Sequence, residues 1–266
     1  MSKNRNSIAG ILLPNRTVSP TVMKILILVQ AGVALAIWWS SPFKVLPRPD
    51  EVLRALGDLW RVHGLGWEII TSVGLNVQAI GWTLLISLLL SYLTVIPFFR
   101  PIAAAVSKGR FLGLIGLTLI FTLMIGGGQP LKLSLLVFGM SVFFVTSMAA
   151  VIQDLPKEAF DHARSLGMSE WRVVWEVVIL GTADDAFEVL RQNAAIGWMM
   201  LTMVEGISRA EGGMGAMLLN QNKHFHLAEV FAIQLLILTI GILQDYGIGA
   251  LRKLLCPYAD LLLERR

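Results

Sequence analysis

Residues 131–152 run for 22 positions with one charged side chain, Lys132, and five more apolar stretches follow the same pattern along the chain. A hydrocarbon core about 30 Å thick needs about 20 helical residues to cross it. Inside that core each backbone N–H and C=O has to be satisfied within its own segment, which leaves helices as the structure for runs of this kind. The stretches are residues 23–41, 69–99, 111–125, 131–152, 186–204 and 230–251. They predict an all-α, polytopic transmembrane helical bundle of about six spans, with the third the shortest, the second the longest and the fifth the least apolar.

Composition agrees with a chain embedded in the lipid bilayer. Hydrophobic residues make up 55% of the 266 and charged residues only 15%, outside the range of soluble domains. The net charge of +4 is spread over the ends of apolar runs and forms no basic patch with interleaved aromatics, so nucleic acid is not an expected partner. Cys256 is the lone cysteine, which excludes an internal disulfide or a cysteine cluster for zinc. The first apolar run has no small-residue cleavage site after it and is expected to stay as a span. The organisation expected is a cytoplasmic leader over 1–22, a transmembrane domain over 23–255 containing a cytoplasmic segment at 153–185, and a cytoplasmic tail over 256–266.

Lysine and arginine set the orientation, because short cytoplasmic loops keep positive charge. With the N-terminus inside, 15 of the 22 basic residues fall on the inner side and 7 on the outer. Both termini and the 153–185 segment are therefore expected in the cytoplasm. In the outer 42–68 loop, Asp50 can cap a helix on which Val52, Leu53, Leu56, Leu59 and Trp60 share a face, so a helix along the outer interface is expected. No glycine loop of the phosphate-cradling kind occurs, and any energy input has to come from another chain.

The 153–185 segment is polar between two apolar runs. From Pro156 to Leu166 it has a helical pattern with Ala159, Phe160, Ala163 and Leu166 on one stripe and Lys157, Asp161, Arg164 and Ser165 on the remainder. Gly167 then suits a left-handed C-cap. Periodicity alone leaves two readings open, a linker helix lying on the membrane surface or a helix that slots into a soluble partner.

Asp161-His162-Ala163-Arg164-Ser165-Leu166-Gly167, followed by Trp171 and Trp175, resembles the cytoplasmic Glu-Ala-Ala-x-x-x-Gly motif of the inner-membrane permease subunits of binding-protein-dependent ABC importers. The likeness is to the nitrate, sulfonate and taurine branch, and it extends over about residues 45–260. Leu46-Pro47-Arg48-Pro49-Asp50-Glu51-Val52 resembles that branch's Leu-Pro-x-Pro-x-x-Val, Gly126-Gly127-Gly128-Gln129 with Lys132 its Gly-x-Gly-Glu turn, and Val204-Glu205-Gly206 with Gly212-Gly213-Met214-Gly215 its acidic residue and Gly-Leu-Gly. The resemblance implies a type I importer fold and a pathway formed with a second permease copy, a homodimer. It implies coupling through residues 156–171 to a cytoplasmic ATP-binding ABC subunit, carried by Glu158, Asp161, His162, Ala163, Arg164, Leu166 and Gly167. It also implies delivery by a periplasmic or extracellular solute-binding protein of a small anionic or polar solute such as nitrate, sulfonate or taurine, at the cell inner membrane.

The departures mark a divergent member. Asp161 stands for the usual Glu and His162 for the usual first Ala, so the face offered to a partner is bulkier and titratable. Leu180-Gly181 replaces Leu-Pro and Asp184-Asp185 falls where a second proline would sit, which predicts a continuous helix or a glycine hinge before the fifth span. Span two has no basic residue between Glu68 and Arg100, and residues 107–116 lack the family's paired prolines.

Other residues that carry chemistry are few. His224 and His226, at i and i+2, point apart on a helix and read as part of an interfacial loop. No nucleophile elbow is present, and no catalytic residue, metal or cofactor is expected. Glu205 ends an apolar run and fits either an interfacial helix terminus or a pathway gate. Asn76 and Gln78, inside span two, fit either interhelical hydrogen bonding or the pathway. The methionines at 199, 200 and 203 read as adaptable packing. The competing class is a scaffold or assembly protein that keeps a permease fold without transport. A membrane enzyme is a third and weaker one.

Overall fold

The computed structural model describes residues 19–43 and 45–257. Most of the leader, Lys44 and residues 258–266 of the tail, with their basic residues, lie outside the described residues.

Four helices among them are long and apolar enough to cross a bilayer: α1 (Pro20–Trp39), α3 (Leu65–Leu93), α6 (Gln129–Gln153) and α11 (Leu227–Leu255). Pro20 opens α1 at a position where its missing N–H costs nothing, and Ser19 Oγ accepts from the Val22 amide. None of the α1 residues is buried. Trp38 ties its end to the bundle by donating from Nε1 to the Pro47 carbonyl at 3.0 Å.

The third expected span is not a straight crossing. Pro97–Phe111, which includes α4 (Arg100–Lys108), meets α5 (Leu114–Ile125) at an angle of 115°. Twelve residues of α5 reach only about 18 Å at 1.5 Å per residue. The two pieces count as one span only if taken together as a broken one. Leu112 and Gly113 adopt extended backbone and end the helical hydrogen bonding there.

The fifth expected span is α9 (Ala183–Ile207), 25 residues long, about 37 Å. It falls outside the apolar set because Asp184, Asp185, Glu188, Arg191, Gln192 and Asn193 crowd its first three turns. Such a helix is stable inside a bundle when its polar side has protein to face. Here α9 packs between α6 and α11, and three of these four ions are paired: Arg252 of α11 binds Asp184 at 2.5 and 2.8 Å, and Arg191 binds Glu188 at 3.3 Å and Asp245 at 3.2 Å, while Asp185 is exposed.

α3, α6 and α9 form the centre. The face of α3 that meets α6 carries small and polar residues, Ser72, Asn76, Ala79, Thr83, Ser87 and Ser91, which let the helices approach closely. Leu136 and Met140 of α6, Trp198 and Leu201 of α9 and Ile233 of α11 fill the apolar core around them.

The 42–68 loop does contain a helix, α2 (Pro49–Val62), but two details differ from expectation. Its first turn is closed by Glu51, whose Oε2 accepts from the Arg48 amide at 2.9 Å, and Asp50 lies inside the helix. Its buried face is Val52, Ala55 and Leu59, laid on α11, while Leu53 and Trp60 point outward. The stripe follows where α11 lies, which the composition of the loop does not encode. α10 (Met214–Lys223) packs on α9, α3 and α11, and a Cβ at Gly215 would run into the Thr202 backbone of α9.

Candidate functional site: an outer carboxylate clasp and an inner coupling segment

The polar 153–185 segment forms the expected short helix, α7 (Lys157–Ser165), and Gly167 takes φ +77°. The amide of Met168 donates to the Ala163 carbonyl at 3.3 Å and that of Gly167 to the Arg164 carbonyl at 2.9 Å, so the left-handed glycine closes the helix. Its packed side is narrower than the sequence pattern: Ala163 is buried and Ala159 and Phe160 half-buried, but Leu166 is 63% exposed. The chain has already left the helix at Leu166, which carries that side chain off the stripe.

This placement divides the expected coupling residues. Ala163 faces inward. Arg164 is tied down inside the segment, donating to both Glu170 carboxylate oxygens at 2.9 and 3.1 Å and to Asp161 at 3.3 Å. Glu158, Asp161, His162, Leu166 and Gly167 remain on the outside, with Trp171 and Trp175 also exposed nearby.

Hydrogen bonding from Arg164, and then its charge, hold the Glu170 carboxyl below its usual range. The pair therefore supports the turn above the ordinary glutamate pKa and is lost as pH falls through the lowered one. Glu170→Gln should speed hydrogen exchange at the 165–170 amides at neutral pH. Wild type and variant should converge below the lowered carboxylate pKa.

Between α7 and α9 the chain runs through a short helix, α8 (Glu170–Val173), straight into seven π-helical residues, Val174–Leu180. This is neither the continuous α-helix nor the simple glycine hinge expected. A Cβ at Gly181 would collide with the Val177 carbonyl oxygen, so the close return of the wide turn requires glycine at an exposed position. Thr182, fully buried, donates to the Val178 carbonyl at 2.7 Å and lies 3.5 Å from the Tyr92 hydroxyl of α3.

At the other end of α9, Glu205 is fully buried and its carboxylate is held on both oxygens. Ser72 Oγ of α3 donates to Oε1 at 2.7 Å and the Gly215 amide of α10 to Oε2 at 2.8 Å. Ser72 in turn accepts from the Met214 amide at 2.8 Å, and Glu68, one turn earlier on α3, accepts from the Gly213 amide. Lys132 of α6, 1% exposed, donates from Nζ to the Gly212 carbonyl at 2.8 Å. Gly212 and Gly213 have φ +70° and +107°, and a Cβ on either would strike a carboxylate, Glu68 at Gly212 and Glu205 at Gly213. One carboxylate thus ties the first turns of α3 and the last turn of α9 to the start of α10, with α6 fastened to the same glycine loop.

Asn76 and Gln78 are not brought together. Asn76 is fully buried on the α3 face toward α6 and α9, 3.8 Å from where a Cβ at Gly197 would stand, and neither amide atom has a hydrogen-bond partner. Gln78 is exposed. Glu68, Ser72 and Lys132 are the site residues that sequence reasoning did not select beside Glu205. The available signal was a lysine inside the apolar 131–152 run, which has to find protein partners. His224 and His226 lie in the turn between α10 and α11, where His226 Nδ1 is 2.8 Å from Gln221 Oε1. Among the described residues no group of three or more His, Cys, Asp or Glu is placed to hold a metal.

No family model matches the chain. The taurine transport system permease protein TauC of Escherichia coli (strain K12) is 27% identical over 133 residues, 50% of this chain and 48% of its own length. The match therefore spans about half of that relative. Among solved structures, inward facing conformations of the MetNI methionine ABC transporter superimpose with a TM-score of 0.59 at 15% identity, over 72% of this chain and 96% of that one. The fold is that of the MetNI transporter chain on which it superimposes. In this fold, α9 runs unbroken from the Gly181–Thr182 turn that follows the π-helical residues to the Glu205 clasp.

Proposed function

We propose that the chain is the transmembrane permease subunit of an ABC importer, forming the substrate pathway with a second copy of itself. Each copy engages a cytoplasmic ATP-binding subunit through residues 156–171. A periplasmic or extracellular solute-binding protein delivers a small anionic or polar solute, such as nitrate, a sulfonate or taurine, to the 42–68 and 205–229 loops. Both termini lie in the cytoplasm, and the chain itself hydrolyses no ATP.

The observation that carries this reading is the continuity of one mechanical element. Exposed Glu158, His162 and Leu166 recur at intervals of four on the segment that leads, through the π-helical turn, into α9. Movement of that segment by a partner shifts the foot of α9, while Glu205 holds the other end to α3 and α10. Lever and clasp together supply what alternating access needs, a rigid rod joining the two faces of the membrane. The half-chain likeness to TauC favours a sulfonate-like solute.

Uptake of labelled taurine, nitrate and a short alkanesulfonate into proteoliposomes tests the reading. The chain would be reconstituted with its ATP-binding subunit and its solute-binding protein. ATP-dependent accumulation of at least one of the three is expected. No accumulation of any of them, with the complex assembled, contradicts the proposed solute class.

A further inference from the structure

Asn76 of α3 and Asn193 of α9 are both buried, and among the described residues Asn76 Nδ2, Asn76 Oδ1 and Asn193 Oδ1 have no hydrogen-bond partner. A buried amide left unpaired costs more than the bond it lacks, because it has given up water without a replacement. Here the orphans are complementary: Asn76 has an N–H to donate and Asn193 a carbonyl oxygen to receive it. They stand about one helical turn apart. Asn76 Oδ1 lies 3.8 Å from where a Cβ at Gly197 would be, and Gly197 follows Asn193 by four residues on the same face of α9. Four residues are about 6 Å of helix, the separation at which side chains on neighbouring turns pair.

Met140 of α6 keeps them apart. Its carbonyl accepts from Asn193 Nδ2 at 3.1 Å, and its thioether fills the notch at Gly197, with Cε and Sδ 2.9 and 3.1 Å from the Cβ position. A reciprocal notch lies beside it, where Met200 Sδ of α9 is 2.7 Å from the Cβ position of Gly139 on α6. The two helices therefore meet here through methionines seated on glycines, flexible side chains that can withdraw without moving backbone.

We propose that Asn76, Met140, Asn193 and Gly197 form a hydrogen-bond exchange that gives α9 two discrete positions. In the first, described above, Asn193 is bonded to α6. When the foot of α9 moves, Met140 leaves the Gly197 notch, Asn193 releases the Met140 carbonyl, and Asn76 donates to Asn193 Oδ1, so that α9 is bonded to α3 instead. The Met140 carbonyl lies inside α6, and the bond it gives up is its second. Glu205 still holds the far end of α9 to Ser72 of α3, so the helix tilts about that end and does not slide. One interhelical bond replaces another, which keeps the two packings close in energy and separate in geometry. The proposal rests on the transport reading above and names the internal contact through which α9 takes its second position.

The test uses the full chain alone in nanodiscs, with Cys256→Ala to remove the native thiol. Spin labels go on Leu85→Cys of α3 and Gln192→Cys of α9, both exposed positions, and labelled chain is diluted with excess unlabelled chain so that distances within one copy are read. Gly197→Ala, whose methyl displaces the Met140 thioether, should raise the population at a second α3–α9 distance by at least about fivefold. Adding Asn76→Leu should return the wild-type distribution, and Asn76→Ala repeats this arm where leucine keeps the chain from folding. Asn76→Leu alone should raise the melting temperature by about 2–4 °C, because leucine keeps the shape and removes the orphaned atoms. A Gly197→Ala distribution equal to wild type, a second distance that survives loss of the Asn76 amide, or a folded Asn76→Leu variant that melts below wild type would each overturn the exchange. Because the readout needs neither ATP nor a partner, absent uptake in proteoliposomes with an Asn76-dependent second distance would sink the transport reading and leave the exchange standing. Uptake with a single distance throughout would sink the exchange alone.

Discussion

Glu205→Ala is expected to lower the stability of the folded chain by about 3–5 kcal/mol, the range for breaking a buried, hydrogen-bonded charge cluster by removing one partner. Truncation leaves the Ser72 hydroxyl and the Gly215 amide without their acceptor. It also takes away a negative charge close to Lys132, which is almost fully buried. The donors left behind are themselves buried, Ser72 fully so. Glu205→Gln should be milder, because the amide keeps the shape and one accepting oxygen. A thermal melt in detergent, followed by intrinsic tryptophan fluorescence, checks the order: alanine well below glutamine, glutamine below wild type. An alanine variant that melts with wild type would show that the clasp is incidental to the fold.

That cluster also shows where sequence reading stops. Glu205 was legible as an acid in the wrong solvent at the end of an apolar run, but its partners Ser72 and Gly215 lie 133 and 10 residues away. Nothing in a helical period specifies which helix stands beside which. Features set by local chemistry were legible: the long apolar helices, α7, and the left-handed Gly167 that closes it. Features set by neighbours were not. The buried stripe of α2 rotated toward Ala55 because α11 lies there, and Leu166 turned outward because Gly167 had already ended the helix. The bend before α5 has no proline to announce it, and it comes from two extended residues at Leu112 and Gly113. The separation of Asn76 from Gln78, in contrast, follows directly from about 100° per residue on one helix.

The second large effect concerns the face of α7 left outside. Leu166→Asp changes a side chain that is 63% exposed, so the fold should keep its stability within about 0.5 kcal/mol. An apolar side chain standing free on a polar segment, with Trp171 and Trp175 exposed beyond it, has the makings of an anchor in a partner's groove. Placing a carboxylate there costs the anchor its apolar burial and adds a charge to be desolvated. Ala163→Asp is the less informative change, because Ala163 faces inward and its loss would disturb the segment itself.

The decisive measurement is the amount of ATP-binding subunit that copurifies in mild detergent with the full chain. Wild type should retain it in stoichiometric amount, and Leu166→Asp, at an unchanged melting temperature, should retain at least about tenfold less. Equal retention by the two, or no ATP-binding subunit with wild type under conditions that keep the bundle intact, would contradict coupling through this segment.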